Sequence, residues 1–383
     1  MIEKIKNFKI NWIDGMKISK EHFQGLQNYA ENSVKDAFVT RNGRYGYGYF
    51  TSRSNSIHND TINLDIHNSL RVSINELRAI TPNGHRIEVT NETPRVEDQI
   101  TISNVLDTNC ETGFLLINLD IENPVPFGEQ DAKEVPPRHP FVTNGHFFSF
   151  IDAKELEKTG LLGNQLPIAK ITRVGNVLSF TTDYIPPCTS LDAHVQLMDF
   201  YNEVDNFLKM AERNCITILQ KIRSKDNENP IADAMQLAVD KLYVYLAQKI
   251  TTVKWEAQYL HPKDLLEILV SFARIFKGAV DISSPEEKER LLNYFGDWTD
   301  LKGGDYEKIF NTIINLKYNH DDVNENVKTV SVFMETIEKL LKVLTQVDYI
   351  GKRRDMGIFV HENMVNTKTK KSAQAGGPSF LAE

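Results

Sequence analysis

Histidine beside carboxylates can hold a metal or move a proton, and His320-Asp321-Asp322 is the most compact such group. Three consecutive residues at a helix start point in different directions, however. Asp322 stands three residues before Glu325, so the pattern reads as helix capping, with both carboxylates at the positive end. His261-Pro262 also starts a helix, with proline suited to the first position and histidine to packing or capping. His22, beside Phe23, lies in the first turn of a helix and has no Cys or Ser motif to pair with. His139 and His146 lie in or after a long loop and can reach a common site, but without the spacing that chemistry requires. Gly43, Gly46 and Gly48 suggest a phosphate loop, yet Arg44, Tyr45, Tyr47, Tyr49 and Phe50 fill the gaps and no helix follows. An edge or bulged strand with stacked tyrosines is the better reading. Walker, zinc-protease and nucleophile-elbow motifs are absent from the sequence. No catalytic residue, metal ligand or cofactor is expected, and enzyme is the weaker class.

The elements that carry these residues fall into three parts. In residues 1–41, Ser19 caps a helix whose apolar positions Phe23, Leu26, Ala30, Val34 and Ala37 recur at helical spacing, so one face is expected to be buried. From Arg41 to Asp183 the period becomes two: Ile62, Leu64 and Ile66 alternate with polar residues, as do Leu70, Val72 and Ile74. Pro82-Asn83-Gly84 predicts a hairpin, and further strands are expected at Phe114–Ile121, His146–Ile151, Pro167–Val174 and Val177–Thr181. Many short strands argue for an antiparallel sandwich or barrel. Glu122–Pro140, with its five prolines, reads as a long surface loop.

At Pro186-Pro187 the pattern turns helical and stays so to Ile350. Leu191, Val195, Met198, Leu208 and Ile218 follow one stripe of a first helix, while Leu197, Phe200 and Phe207 add a second. A helix with two apolar faces must bury both, and the second face wants a further partner such as another copy of the chain. Ser284-Pro285-Glu286-Glu287 is a full capping box. In the last helix Val327, Val330, Met334, Ile337, Leu341 and Leu344 form a bundle or coiled-coil seam. The expected class is α+β: an N-terminal segment and helix (1–41), a β-sandwich (42–185), a helical bundle (186–350) and a tail (351–383). Within the tail, Ile358-Phe359-Val360 can serve as a short docking segment.

Composition narrows the function. The 383 residues are 41% apolar and 25% charged, as in ordinary globular proteins. The net charge of −8 is shared by both halves, so no basic footprint for nucleic acid exists. Cys110, Cys188 and Cys215 are far apart and odd in number, which argues against a disulfide framework or paired zinc ligands and for a reducing compartment. No run of 18 apolar residues is present and the first residues lack a signal-peptide core, so a cytoplasmic protein without membrane insertion is expected.

Four segments in order resemble the TssK family, the trimeric baseplate proteins of type VI secretion. They are Trp12-Ile13-Asp14-Gly15-Met16 with the later His22-Phe23; Leu166-Pro167-Ile168-Ala169 followed by Asp183-Tyr184-Ile185-Pro186-Pro187; His261-Pro262 with Leu265; and Tyr318-Asn319-His320-Asp321-Asp322 before a long apolar helix. The resemblance covers about residues 8–348. It implies a phage-like β-sandwich shoulder, a helical neck that trimerises, and a structural adaptor at the inner-membrane face that joins wedges of TssF, TssG and TssE to a membrane anchor. In the family a C-terminal head grips that anchor. Only the 33 residues 351–383 follow the last neck helix here, so a head-less member with an anchor of uncertain identity is expected.

On this reading Trp12, Met16, His22 and Phe23 contact TssG. The alternative is that Trp12 and Phe23 only fold the N-terminal segment onto the sandwich. Leu191, Val195, Met198, Leu208, Ile218, Val330, Ile337 and Leu341 belong to the trimerising neck, and Ile358, Phe359 and Val360 to tail docking. Two rivals stand beside it. One is a receptor- or carbohydrate-binding protein of a phage-like particle, with Tyr45, Tyr47 and Tyr49 as an outward sugar platform. The other is a hydrolase using loop carboxylates such as Glu129 and Asp131.

Overall fold

The computed structural model describes residues 7–51, 62–66, 69–94, 96–101, 111–174, 177–224 and 229–352. The helix α1 (Lys20–Asn42) precedes the strands β1 (Gly48–Tyr49), β2 (Ile62–Ile66), β3 (Ser69–Ile74), β4 (Leu77–Ile80), β5 (Arg86–Val89) and β6 (Val96–Thr101). Next come β7 (Thr112–Phe127), β8 (Phe141–Asp152), the short α2 (Ala153–Thr159), β9 (Gln165–Val174) and β10 (Val177–Phe180). The helices α3 (Val195–Arg223), α4 (Pro230–Glu256), α5 (Pro262–Asp281), α6 (Pro285–Trp298), α7 (Gly303–Ile314) and α8 (Val323–Gln346) complete an α+β fold. The strands form three sheets, ordered β1-β4-β5, β2-β3-β6 and β10-β9-β7-β8, and every pairing between named strands is antiparallel.

The turn at Pro82-Asn83-Gly84 joins β4 to β5, with Ile80 opposite Arg86 and Gly84 at a φ of +79° that suits glycine. Within Glu122–Pro140 the first six residues depart from the loop expectation. β7 runs on to Phe127 and pairs Val125, Pro126 and Phe127 with Thr143, Val142 and Phe141, so only 128–140 connect the strands. Pro124 and Pro126 are tolerated in β7 because β9 leaves it at Asn118, and from there β7 has a neighbour on one side only.

One apolar core runs through both parts of the fold. Ile87, Leu115, Ile117 and Leu166 from the strands join Leu191, Phe200, Leu208 and Leu341 from the helical part. β7 is buried on both faces, since Phe114 and Leu116 pack on its other side with Leu156 of α2 and Tyr184. Within the bundle, Phe207, Phe272, Phe333, Phe310, Phe276, Phe295 and Tyr306 form a chain of ring contacts with centroids 5.3–6.2 Å apart. The helix starts follow the sequence: Asn229 and His261 accept from the N–H of Ile231 and Lys263 ahead of Pro230 and Pro262, and Ser284 and Glu287 cap each other. Cys188 and Cys215 are buried and free.

Gly48 closes the strand part onto the helical part. Its φ is +123°, and a side-chain carbon there would sit 2.3 Å from the Pro187 carbonyl. That closeness lets Tyr49 donate to Pro187 O (2.8 Å) and accept from Thr189 N–H (3.0 Å), tying β1 to the segment that leads into α3.

Candidate interaction surface

His320, Asp321 and Asp322 do not cap α8 in the way their spacing predicts, for the Asp322 side chain makes no capping bond. Tertiary partners claim them instead. Asp322 is paired with Lys170 of β9 at 2.6 Å, the two side chains 5% and 15% exposed. Asp321 accepts from Tyr47 Oη at 2.6 Å, and its carbonyl accepts from Tyr184 Oη at 2.8 Å. His320 Nε2 donates to the Tyr47 carbonyl at 2.8 Å, while Nδ1 meets Tyr318 Oη at 2.8 Å. His261 stacks on His320 with centroids 4.8 Å apart, donates from Nε2 to the Tyr45 carbonyl at 2.5 Å, and accepts at Nδ1 from Lys263 N–H. Both histidines thus use both ring nitrogens on the protein itself. The cluster is a clasp that holds the 45–47 backbone to the start of α8, with no ring nitrogen left for a substrate.

Burial sets the charge states here. It lowers His261, and it lowers His320 to about 3, with the neighbouring His261 adding to the shift. Burial also raises Asp321 and Asp322, against the opposing pull of Tyr47 and Lys170 respectively. Below its ordinary value of 6.5, His320 takes a proton when unfolded and refuses it when folded, so its contribution to stability falls as pH drops from 6.5 toward 3. The two raised carboxylates act with the opposite sign: their contribution is complete below the ordinary 3.8 and is lost as pH rises through their folded values. Comparing wild type with His320→Asn isolates the histidine. Between pH 6.5 and 5.5 the wild-type unfolding free energy, followed by urea titration, falls more steeply by about 1 kcal/mol. Parallel pH profiles would mean that His320 is not held neutral.

The other side chains with chemical potential are not brought together. His139 binds the Gly128 carbonyl (2.7 Å) and Gln130, while His146 stands half-buried opposite Leu119, further along the β7–β8 pair. The loop carboxylates serve local structure: Asp131 accepts from Lys133 N–H and Glu134 pairs with Arg138. The outward tyrosine platform is corrected by the structure. Tyr49 is buried, Tyr45 and Tyr47 are half-buried in the clasp, and the expected edge strand there is a 3-10 turn (Gly43–Tyr45) followed by the two-residue β1.

An exposed apolar stripe lies on α1. Its apolar residues Phe23, Leu26, Ala30, Val34 and Ala37 all face solvent, and no residue of the helix is buried. The side turned to the rest of the chain carries Gly25, Tyr29, Lys35 and Phe38; Gly25 lies on Ile10, and Lys35 and Phe38 lie against Gly84. The expectation that this apolar stripe is buried therefore fails within a single chain. Trp12 and Phe23 are 46% and 59% exposed, Met16 is half-buried, and the half-buried His22 accepts at Nδ1 from Ser19 N–H (3.0 Å), fixing the helix start. Phe8, Ile13 and Ile18 extend the exposed apolar surface.

The neck stripe is placed otherwise. Leu191, Leu208, Ile218, Val330, Ile337 and Leu341 are buried in the chain's own core, which leaves Val195 exposed and Met198 half-buried on that set. A periodic stripe could not say which partner covers it, and six of these eight residues are covered by the bundle itself. Ile358, Phe359 and Val360 lie outside the described residues. Among the described residues no helix is long and apolar enough to cross a membrane, and no group of three His, Cys, Asp or Glu is placed to hold a metal ion.

Comparison with known proteins gives a family match over about a third of the chain. Residues 155–276, from α2 into α5, match the family described as bacterial type VI secretion, VC_A0110, EvfL, ImpJ, VasE. The fold is then that of TssK. A crystal structure of TssK aligns with a TM-score of 0.50 at 15% identity, covering 88% of this chain and 72% of that one. A chain of the TssK-TssF-TssG baseplate subcomplex aligns at 0.48 and 13%, covering 89% of this chain and all of that one. TssK from EAEC bound to a nanobody aligns at 0.47 and 15%, covering 83% and 68%. No curated protein matches the chain.

Proposed function

We propose that this TssK-like chain is a structural component of a type VI secretion baseplate, a homotrimer that joins wedge proteins to a membrane anchor and performs no reaction. The observation that carries the reading is α1. A 23-residue helix that turns its apolar stripe to solvent, within a fold shared with TssK, is built to be covered by another chain. Trp12, Met16, His22 and Phe23 are assigned to contact with a TssG-like subunit, with TssF and TssE completing the wedge. Val195 and Met198 are assigned to contact between neck helices of neighbouring copies. Ile358, Phe359 and Val360 are assigned to the anchor side, and the assembly to the cytoplasmic face of the inner membrane.

Light scattering of the purified chain, alone and co-expressed with a TssG-like subunit, tests the proposal. The expected particle is about 131 kDa, three copies of the 43.8 kDa chain, and it co-elutes with TssG. Phe23→Asp with Leu26→Asp removes co-elution while the melting temperature stays within about 2 °C, because both side chains are exposed in the single chain. A 44 kDa monomer that ignores TssG would sink the adaptor reading.

A further inference from the structure

A second surface lies far along the chain from α1. Between α3 and α8 opens a groove of about 420 Å³ whose floor is Phe207, Met210 and Met334 and whose lips are Glu203 on one helix and Glu335 and Glu338 on the other. The floor is apolar and adaptable, since unbranched methionines repack around different side chains. The lips are unusual in their charge. Other carboxylates on or beside these helices have a cation: Asp205 of α3 pairs with Lys209, and Asp183, which follows β10, pairs with Lys328 of α8. Among the described residues Glu203, Glu335 and Glu338 have no ion pair, although Glu338 is half-buried. Three like charges therefore face one another across an apolar trough, an arrangement that opposes close approach of the helices and that a cationic occupant relieves.

We infer that this groove docks a basic amphipathic helix of another protein, which lays one or two apolar side chains on the methionines and sets lysines or arginines against the three glutamates. Helix-in-groove recognition needs apolar anchors one turn apart, and the α3–α8 trough runs along the helix axes to receive them. Charge complementarity selects the basic member among amphipathic helices, and an acidic one is repelled. The inference is independent of the baseplate reading, for it uses neither α1 nor the fold match.

The test is fluorescence polarisation of the full chain with a labelled 18-residue helical peptide of leucine and lysine, at physiological salt. Wild type is expected to bind, and Glu335→Lys with Glu338→Lys to weaken binding at least about tenfold. Glu203→Lys, on the opposite helix, is expected to weaken it several-fold and guards against a folding artefact in α8. Glu122→Lys with Glu129→Lys makes the same change in net charge away from the groove and should alter affinity less than about twofold. Equal weakening by both double variants would reduce the binding to general attraction by an acidic protein and overturn the inference. So would no binding by wild type at millimolar peptide, or loss of self-association in the groove variant, which would give the groove to a second copy.

Discussion

Replacing Lys170 by methionine is expected to lower the unfolding free energy by about 3–5 kcal/mol, read from urea titration at pH 7.5. Lys170 is the cation placed on Asp322, whose side chain is 5% exposed; Glu325 stands 3.7 Å away as a weaker second partner. Methionine keeps the stem and removes the charge, which leaves a carboxylate buried beside the half-buried Asp321. Burial already raises Asp322, and without Lys170 the proton is held still higher, so the deficit shrinks as the solution is acidified. The double variant Lys170→Met with Asp322→Leu recovers most of the loss, because an apolar pair of similar size can replace a buried ion pair at little cost. A single-variant loss under about 1 kcal/mol would show that this link between β9 and α8 is relaxed by water and does not hold the two parts of the fold together.

Phe272→Ala is the second large effect, also expected to cost about 3–5 kcal/mol. Phe272 is fully buried in α5 between Phe207 of α3 (5.5 Å) and Phe333 of α8 (6.1 Å), so its removal opens a cavity where three helices meet. The urea midpoint should fall with the slope of the transition unchanged. Phe207→Ala and Phe272→Ala should combine non-additively, since each removes a wall of the same cavity. An additive pair would mean that the surrounding helices collapse independently at each site.

The helical part was legible where period alone decides. Val330, Met334, Ile337 and Leu341 are spaced as a seam and are buried as one. The same rule misreads α1, whose Phe23, Leu26 and Val34 keep helical spacing and yet stay exposed, because periodicity records that a face is apolar and is silent on what covers it. The capping pattern at Asp322 and Glu325 failed for a related reason. A local hydrogen bond competes with partners distant in sequence, and Lys170 and Tyr47 offer charge and burial that a helix end does not. Gly48 looked like part of a glycine-rich run; its requirement comes from Pro187, some 140 residues away, and no spacing announces it. Within Glu122–Pro140 the loop expectation holds for 128–140, but Pro124 and Pro126 were given the weight of loop residues, whereas a strand with a single neighbour accommodates them.

The outward stripe of α1 makes the order of this N-terminal element a matter of mass action. Most helical stability in proteins comes from packing an apolar face, and α1 draws little of that from its own chain. Its free energy of formation is then coupled to the concentration of whatever covers Phe23, Leu26 and Val34, by the same linkage that ties any ligand to folding. Helix content and amide protection in residues 20–42 should climb with protein or partner concentration while α3–α8 stay constant. An element of this kind counts its neighbours before it settles, and an unassembled copy is distinguishable from an assembled one by that helix alone.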